Sequence, residues 1–249
     1  MLPILEGVIA RRVLLNFRVD PNVARRLLPK PLELTIHNGF AVVGICLIRL
    51  EQLRPKGFPS PVGMSSENMA HRIAIRYPTG EGRKDGVFIW RRDTDQKLVT
   101  LLGGRLFPGV HQLAEFHVME GEDKLIMDVR TRQGDADVSF EAASTAEWKS
   151  TTVFKTFEEV CSFFARGDCG FSCALHEGKL EGMQLRTLKW EMNPLRVDKV
   201  RAAFYDNHER FPPESIEFDC ALLMRGIPHE WHELSDIPEL AGTIRGETR

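Results

Sequence analysis

Glu67 and His71 stand four residues apart in ENMAHRIAIRY (67–77), a segment that alternates in character. As a strand it places Glu67, Met69, His71, Ile73, Ile75 and Tyr77 on one face, and Asn68, Ala70, Arg72, Ala74 and Arg76 on the other. Ile73 and Ile75 mark the first face as inward. A carboxylate among core aliphatics needs a cationic partner or must take up a proton. Glu67 is therefore the candidate general acid or base. The blander reading is a strand-end residue in solvent or a structural ion pair.

A second reactive stretch is LVTLLGGRLFPGVHQLAEFHV (98–118). Asp93 or Thr94 can cap a helix here, and Leu98, Leu101 and Leu102 recur at helical spacing. Gly103 and Gly104 end it, and Phe107-Pro108-Gly109 turns the chain. Arg105, Phe107 and His111 then flank a tight bend leading into a strand. Arg105 suits a carboxylate or oxyanion, and His111 a second proton transfer. The plain alternative is a helix–turn–strand connection.

Other chemistries find little support. The sequence contains no GxGxxG, P-loop, GxSxG or HExxH pattern. His229 and His232 in IPHEWH read as polar loop residues, and Cys169 and Cys173 lack a second ligand pair, so no metal and no cofactor are expected. Net charge is −2, with 43% hydrophobic and 27% charged residues, which points away from nucleic acid and anionic membranes. No apolar run approaches the roughly 20 residues of a membrane-spanning helix. The apolar start, MLPILEGVIARRV, is short and glycine-broken and lacks the features of a signal peptide. The 5 cysteines are an odd set without framework spacing, which fits reduced thiols and a cytoplasmic protein.

The elements that position these residues are mostly strands. Residues 13–19, 32–36, 41–53, 67–77, 87–92, 115–119, 124–132, 137–143, 171–175, 183–192 and 216–225 read as strands. Gly44 inside one of them predicts a bulge or a close backbone approach. Asp20-Pro21 opens a short helix, Thr156 and Glu159 form a capping-box pair at another, and residues 194–205 are expected to be helical. Strands and helices do not alternate as βαβ units. The expectation is a mainly β chain with a few flanking helices, closed or nearly closed as an antiparallel barrel. One domain spans 1–249, with a polar tail frayed from about 238.

Three segments carry a family resemblance. RVDPNVARRLLPKPLEL (18–34), SSENMAHRIAIRY (65–77) and GGRLFPGVHQL (103–113) resemble, in order and spacing, successive segments of acetoacetate decarboxylase. Together they cover about residues 10 to 120. The chain is most similar to an uncharacterised bacterial group of that superfamily, the YqjF-like proteins, which also tend to end in a strand like FDCALLMRGIPHEW (218–231). The resemblance implies a cone-shaped β-barrel with a central cavity, a pocket glutamate at Glu67, a pocket arginine at Arg11 or Arg12, and possible homo-oligomers. His71, Arg105 and Phe107 join the ligand-binding candidates. The family's Schiff-base lysine falls just after the turn proline, where this chain has Gly109 and Val110, and neither can form an imine. Its second pocket carboxylate falls near Gly44, where there is none. Two readings follow: a small-molecule binder for a carboxylate or carbonyl compound, or a lysine-independent lyase or isomerase using Glu67.

Overall fold

Long β-rich segments such as VLLNFRV and AVVGICLIRL bury both faces, one inside a ring of strands and one beneath covering elements. The computed structural model describes residues 3–59, 63–97, 100, 109–174 and 178–238. In chain order the elements are β1 (Leu5–Val19), α1 (Pro21–Arg25), β2 (Glu33–Leu34), β3 (Ile36–His37), β4 (Phe40–Pro55), β5 (Met64–Thr79), β6 (Gly82–Thr94) and β7 (His111–Glu120). There follow β8 (Lys124–Thr131), β9 (Val138–Ser144), α2 (Phe157–Ala165), β10 (Cys169–Cys173), β11 (Lys179–Thr187), β12 (Asn193–Ala202) and β13 (Ile216–Pro238).

The fold is mainly β. Its hydrogen-bonded order runs β6-β7-β8-β9-β12-β13-β1-β4-β5, and β5 pairs back onto β6, so the sheet closes on itself. β10 and β11 make a second, shorter connection between β6 and β13. Most ladders are antiparallel as expected, but β6 pairs parallel with β7 and with β10. A parallel pair cannot be joined by a tight hairpin and requires a crossover connection between its strands.

Two cores result. One face of each ring strand feeds the enclosed core, including Val13, Ile45, Ile73, Phe88, Met127, Phe140 and Leu223. The outer faces of β1, β4 and β13 pack with α2 and the preceding loop through Leu14, Val42, Leu222, Phe154 and Phe164. The predicted capping box is present: Thr156 Oγ1 accepts from the Glu159 amide at 3.1 Å, and Glu159 reaches back to the Thr156 amide at 3.4 Å. Asp20 caps α1 as expected, accepting from the Asn22 amide at 2.7 Å. Gly44 is a close approach: a Cβ there would lie 2.7 Å from the Leu15 carbonyl oxygen and 2.9 Å from Asn16 Oδ1.

Some expectations fail. Residues 194–205 are not a helix; most of them lie in β12. A bulge between Val197 and Lys199 turns the spacing of Leu195, Val197, Val200 and Ala202 from strict alternation into a helix-like one. IPHEWH is not a loop but part of β13, paired with β1 and β11, and His229 is buried. Residues 98, 99 and 101–108 lie outside the described residues, as does the tail from 239, so the predicted helix end, Arg105, Phe107 and the frayed tail stay expectations.

Candidate functional site

Alternation and register place charges in one row inside the ring. Arg225 on β13, Arg11 on β1, Arg49 on β4 and Glu67 on β5 are successive cross-strand partners. Each shares parity with inward residues: Arg225 with Leu223, Arg11 with Val13, Arg49 with Leu47, Glu67 with Met69. Arg11 Nη2 donates to both Glu67 carboxylate oxygens, at 2.7 and 2.8 Å. Arg49 Nη1 adds a longer bond to Glu67 at 3.3 Å and pairs through Nε with Glu51 at 2.9 Å. From β7, across the ring, Glu120 accepts from Arg11 Nη1 at 2.9 Å and pairs with Arg225.

The row is graded in exposure. Arg11 and Glu67 side chains are 3% and 8% exposed, whereas those of Arg49 and Arg225 are 40% and 45% exposed. The buried pair therefore anchors the row, and its flanking arginines meet solvent. Burial alone would raise the Glu120 pKa, but hydrogen bonds from Arg225 and Arg11 outweigh it and hold the carboxyl below its ordinary value. The bond to Glu51 holds the Arg49 pKa above its ordinary value, against the opposing effect of burial.

Two layers further along, Leu15, Ile45 and His71 are cross-strand partners, and Arg91 pairs with His71. His71 is fully buried and stacks on Phe204 with centroids 4.5 Å apart. Burial, then the Arg91 and Arg210 charges, lower its pKa to about 3, with the Ala136 backbone opposing weakly. A neutral ring stacked between aromatics is a core residue with little scope for proton transfer near neutral pH. Arg91 is held by buried Asp93 at 2.9–3.1 Å and by Asp135 at 2.5 Å.

The structure separates the other candidates. Arg12 faces outward, donating to Cys46 Sγ at 3.3 Å and lying 5.4 Å over the Trp190 ring. Of the two arginines, Arg11 is the one that meets Glu67. His111 registers with Arg92, which pairs with Ala70 on the outer face and donates to Ser172 Oγ at 3.2 Å. His111 is therefore grouped with Arg92 rather than with Glu67. Burial and the Arg92 charge lower its pKa to about 3. Gly109 adopts φ +80°, and a Cβ there would sit 2.8 Å from Ser172 Cβ, so the position admits no side chain; Val110 is exposed. Arg49, Glu120 and Arg225 were not singled out from sequence, although the alternation Val43-Ile45-Leu47-Arg49 carried a signal for the first. Among the described residues no group of His, Cys, Asp and Glu is arranged to hold a metal ion, and no helix is long and apolar enough to cross a membrane.

Solved structures define the class of fold. An acetoacetate decarboxylase-like enzyme from Sphingomonas wittichii RW1 superposes with TM-score 0.59 at 14% identity, over 95% of this chain and 94% of that one. Acetoacetate decarboxylase from Legionella pneumophila gives 0.56 at 17% identity, over 94% and 88%. The enduracididine biosynthesis enzyme MppR complexed with pyruvate gives 0.58 at 13% identity, over 95% and 90%. The fold is thus acetoacetate decarboxylase-like. The chain belongs to the DUF2071 family of uncharacterized conserved proteins, whose model matches residues 9–216. No curated protein matches the sequence.

Proposed function

We propose that the charged end of the ring binds a small organic carboxylate or carbonyl compound in a central cavity, without forming an imine. The observation that carries this is the distribution of amines. All ten lysines lie in described segments and none is buried, while the enclosed row is built from arginines. A guanidinium holds a carboxylate in bidentate fashion but does not condense with a carbonyl. Arg225 and Arg49 reach solvent, so an incoming carboxylate meets them first and displaces Glu120 from Arg225 and Arg11. Arg11 and Glu67 then form the floor of the site. Pyruvate bound to the similarly folded MppR supports this ligand class.

A second reading keeps the same site and adds chemistry. Glu67, set between two arginines, would move a proton on a bound keto acid whose developing oxyanion those arginines stabilise, making the protein a lysine-independent lyase or isomerase. Its likeness in fold to enzymes favours this reading. His111, on the outer face with Arg92, takes no part, and Arg105 and Phe107 stay ligand-binding candidates. We further propose a cytoplasmic protein able to self-associate; the five free cysteines are compatible with a reducing compartment.

The test is a thermal-shift screen with pyruvate, acetoacetate and short carboxylates on wild type and Arg225→Met, followed by borohydride treatment and intact mass. A ligand at about 100 times its Kd adds roughly 2.7 kcal/mol of stability. The expected result is a shift in wild type that is lost in Arg225→Met, with no reduced covalent adduct. A borohydride-trapped adduct, or a shift indifferent to Arg225, overturns the reading.

A further inference from the structure

Arg72 raises an electrostatic question unrelated to the charged row. It lies on the outer face of β5, is 3% exposed, and donates through Nη2 to the neutral Asn16 Oδ1 at 3.0 Å. Its guanidinium lies 5.0 Å from the centre of the Phe164 ring on α2. Its Nε is buried and has no hydrogen-bond partner. Among the described residues no carboxylate offsets this charge: the favourable neighbours are Cys46, Tyr205 and Cys220, and Arg12 repels it. Among the described residues Arg12 itself meets the sulfurs of Cys46 and Met224 and the Trp190 ring. A buried cation without an anionic partner is costly.

Both arginines line one small cavity, of about 20 Å³, between the ring's outer face and the end of α2. Thr35 lines it too, and its buried hydroxyl has no partner. Asp85 stands on the rim, where it is already paired with Arg166 at 3.0 Å. Leu14, Ala74 and Phe164 give the wall an apolar side, and Arg166 lines it as a third arginine. This volume admits a single water-sized guest. A monoatomic anion only accepts, and the free groups here are donors.

We propose that this cavity is a chloride site, in which Arg72, Arg12 and the Thr35 hydroxyl surround one halide ion that neutralises the two arginines and ties α2 to the ring. A space of about 20 Å³ suits a monoatomic ion better than phosphate, sulfate or a carboxylate. The site lies on the opposite face of the sheet from Arg11 and Glu67, so its failure and that of the proposed ligand site are independent.

The direct experiment replaces chloride by bromide in crystals of the full chain and measures anomalous scattering at the bromine edge. The expected result is a peak inside the cavity, within hydrogen-bond distance of Arg72 and Thr35, that disappears on back-exchange into chloride. In solution, Tm is measured in sodium chloride against sodium gluconate at fixed ionic strength. Wild type should show a saturable chloride response. Loss of one hydrogen bond to the ion in Thr35→Val should raise the apparent Kd at least about tenfold. Arg72→Met should abolish the response, and Thr35→Val keeps the test valid if that variant fails to fold. Water density in the cavity under bromide, a peak only at exposed arginines, or identical chloride responses in wild type and Thr35→Val overturns the proposal.

Discussion

Replacing Glu67 by leucine tests whether the Arg11–Glu67 pair anchors the ring. Glu67 accepts two short bonds from Arg11 and a longer one from Arg49. Leucine approximates its volume but leaves Arg11, 2% exposed, with Glu120 as its one carboxylate partner among the described residues, while Arg49 keeps Glu51. Removing one member of a buried ion pair costs about 3–5 kcal/mol, because the survivor stays desolvated. The retained bond to Glu120 puts Glu67→Leu at the lower end, about 3 kcal/mol. For a chain of this length that corresponds to a Tm lower by about 6–12 °C. Arg11→Met combined with Glu67→Leu removes both charges and should recover more than half of the loss. Urea unfolding of the wild type, the single and the double variants measures this, with unchanged m-values as the control for two-state behaviour. A single-variant loss below about 1 kcal/mol, or a double variant less stable than the single, refutes the argument that burial makes this pair interdependent.

Acid should destabilise the protein well above the range where carboxylates titrate. Burial lowers the pKa values of His71, His111 and His229 from 6.5 to about 3, about 3 and about 4. The unfolded chain takes up these three protons below about pH 6.5 and the folded chain does not, so stability is full above that pH and falls toward about pH 4. The slope is up to about 1.4 kcal/mol per pH unit for each histidine, and urea midpoints at about pH 7 and about pH 5 measure it. His71→Phe, which preserves the stack on Phe204, should flatten the slope; an unchanged slope would assign the acid sensitivity elsewhere. Gly44→Ala places a methyl 2.7 Å from the Leu15 carbonyl oxygen and against Asn16. It should cost about 1–3 kcal/mol in a thermal or urea melt, and a variant within about 0.5 kcal/mol of wild type would show that the strands can part there.

What the sequence disclosed was local. Alternation in 67–77 correctly put Glu67 and His71 on the inward face, because a strand with one buried aliphatic series has its side assignments fixed by period 2. The choice between Arg11 and Arg12 was not local. Arg11 shares parity with Val13, Leu15 and Phe17, but Leu14 is buried on the opposite face, so both series are apolar and nothing in ARRV says which one faces the ring interior. Glu120 and Arg225 escaped for a related reason. Each lies at the end of a segment whose parity is readable, Phe116-Val118-Glu120 and Ala221-Leu223-Arg225, but their meeting at Arg11 depends on ring closure. The helix expected at 194–205 failed because one bulge residue imitates helical spacing.

The pairing of β1 with β13 also governs when this protein can be born folded. Asn16 and Cys220 lie side by side although 204 residues separate them, and β13 continues to Trp231 along the whole of β1. During synthesis β1 can recruit β4 early, but its other edge stays open until nearly the entire chain has left the ribosome. That edge includes Val13, Leu14 and Leu15, an apolar template for pairing with other chains. Loop closure on this scale belongs to the slow end of folding, where non-local strand pairing sets the rate. The nascent protein therefore carries its aggregation risk at the N-terminal strand, and emergence of β13 ends it.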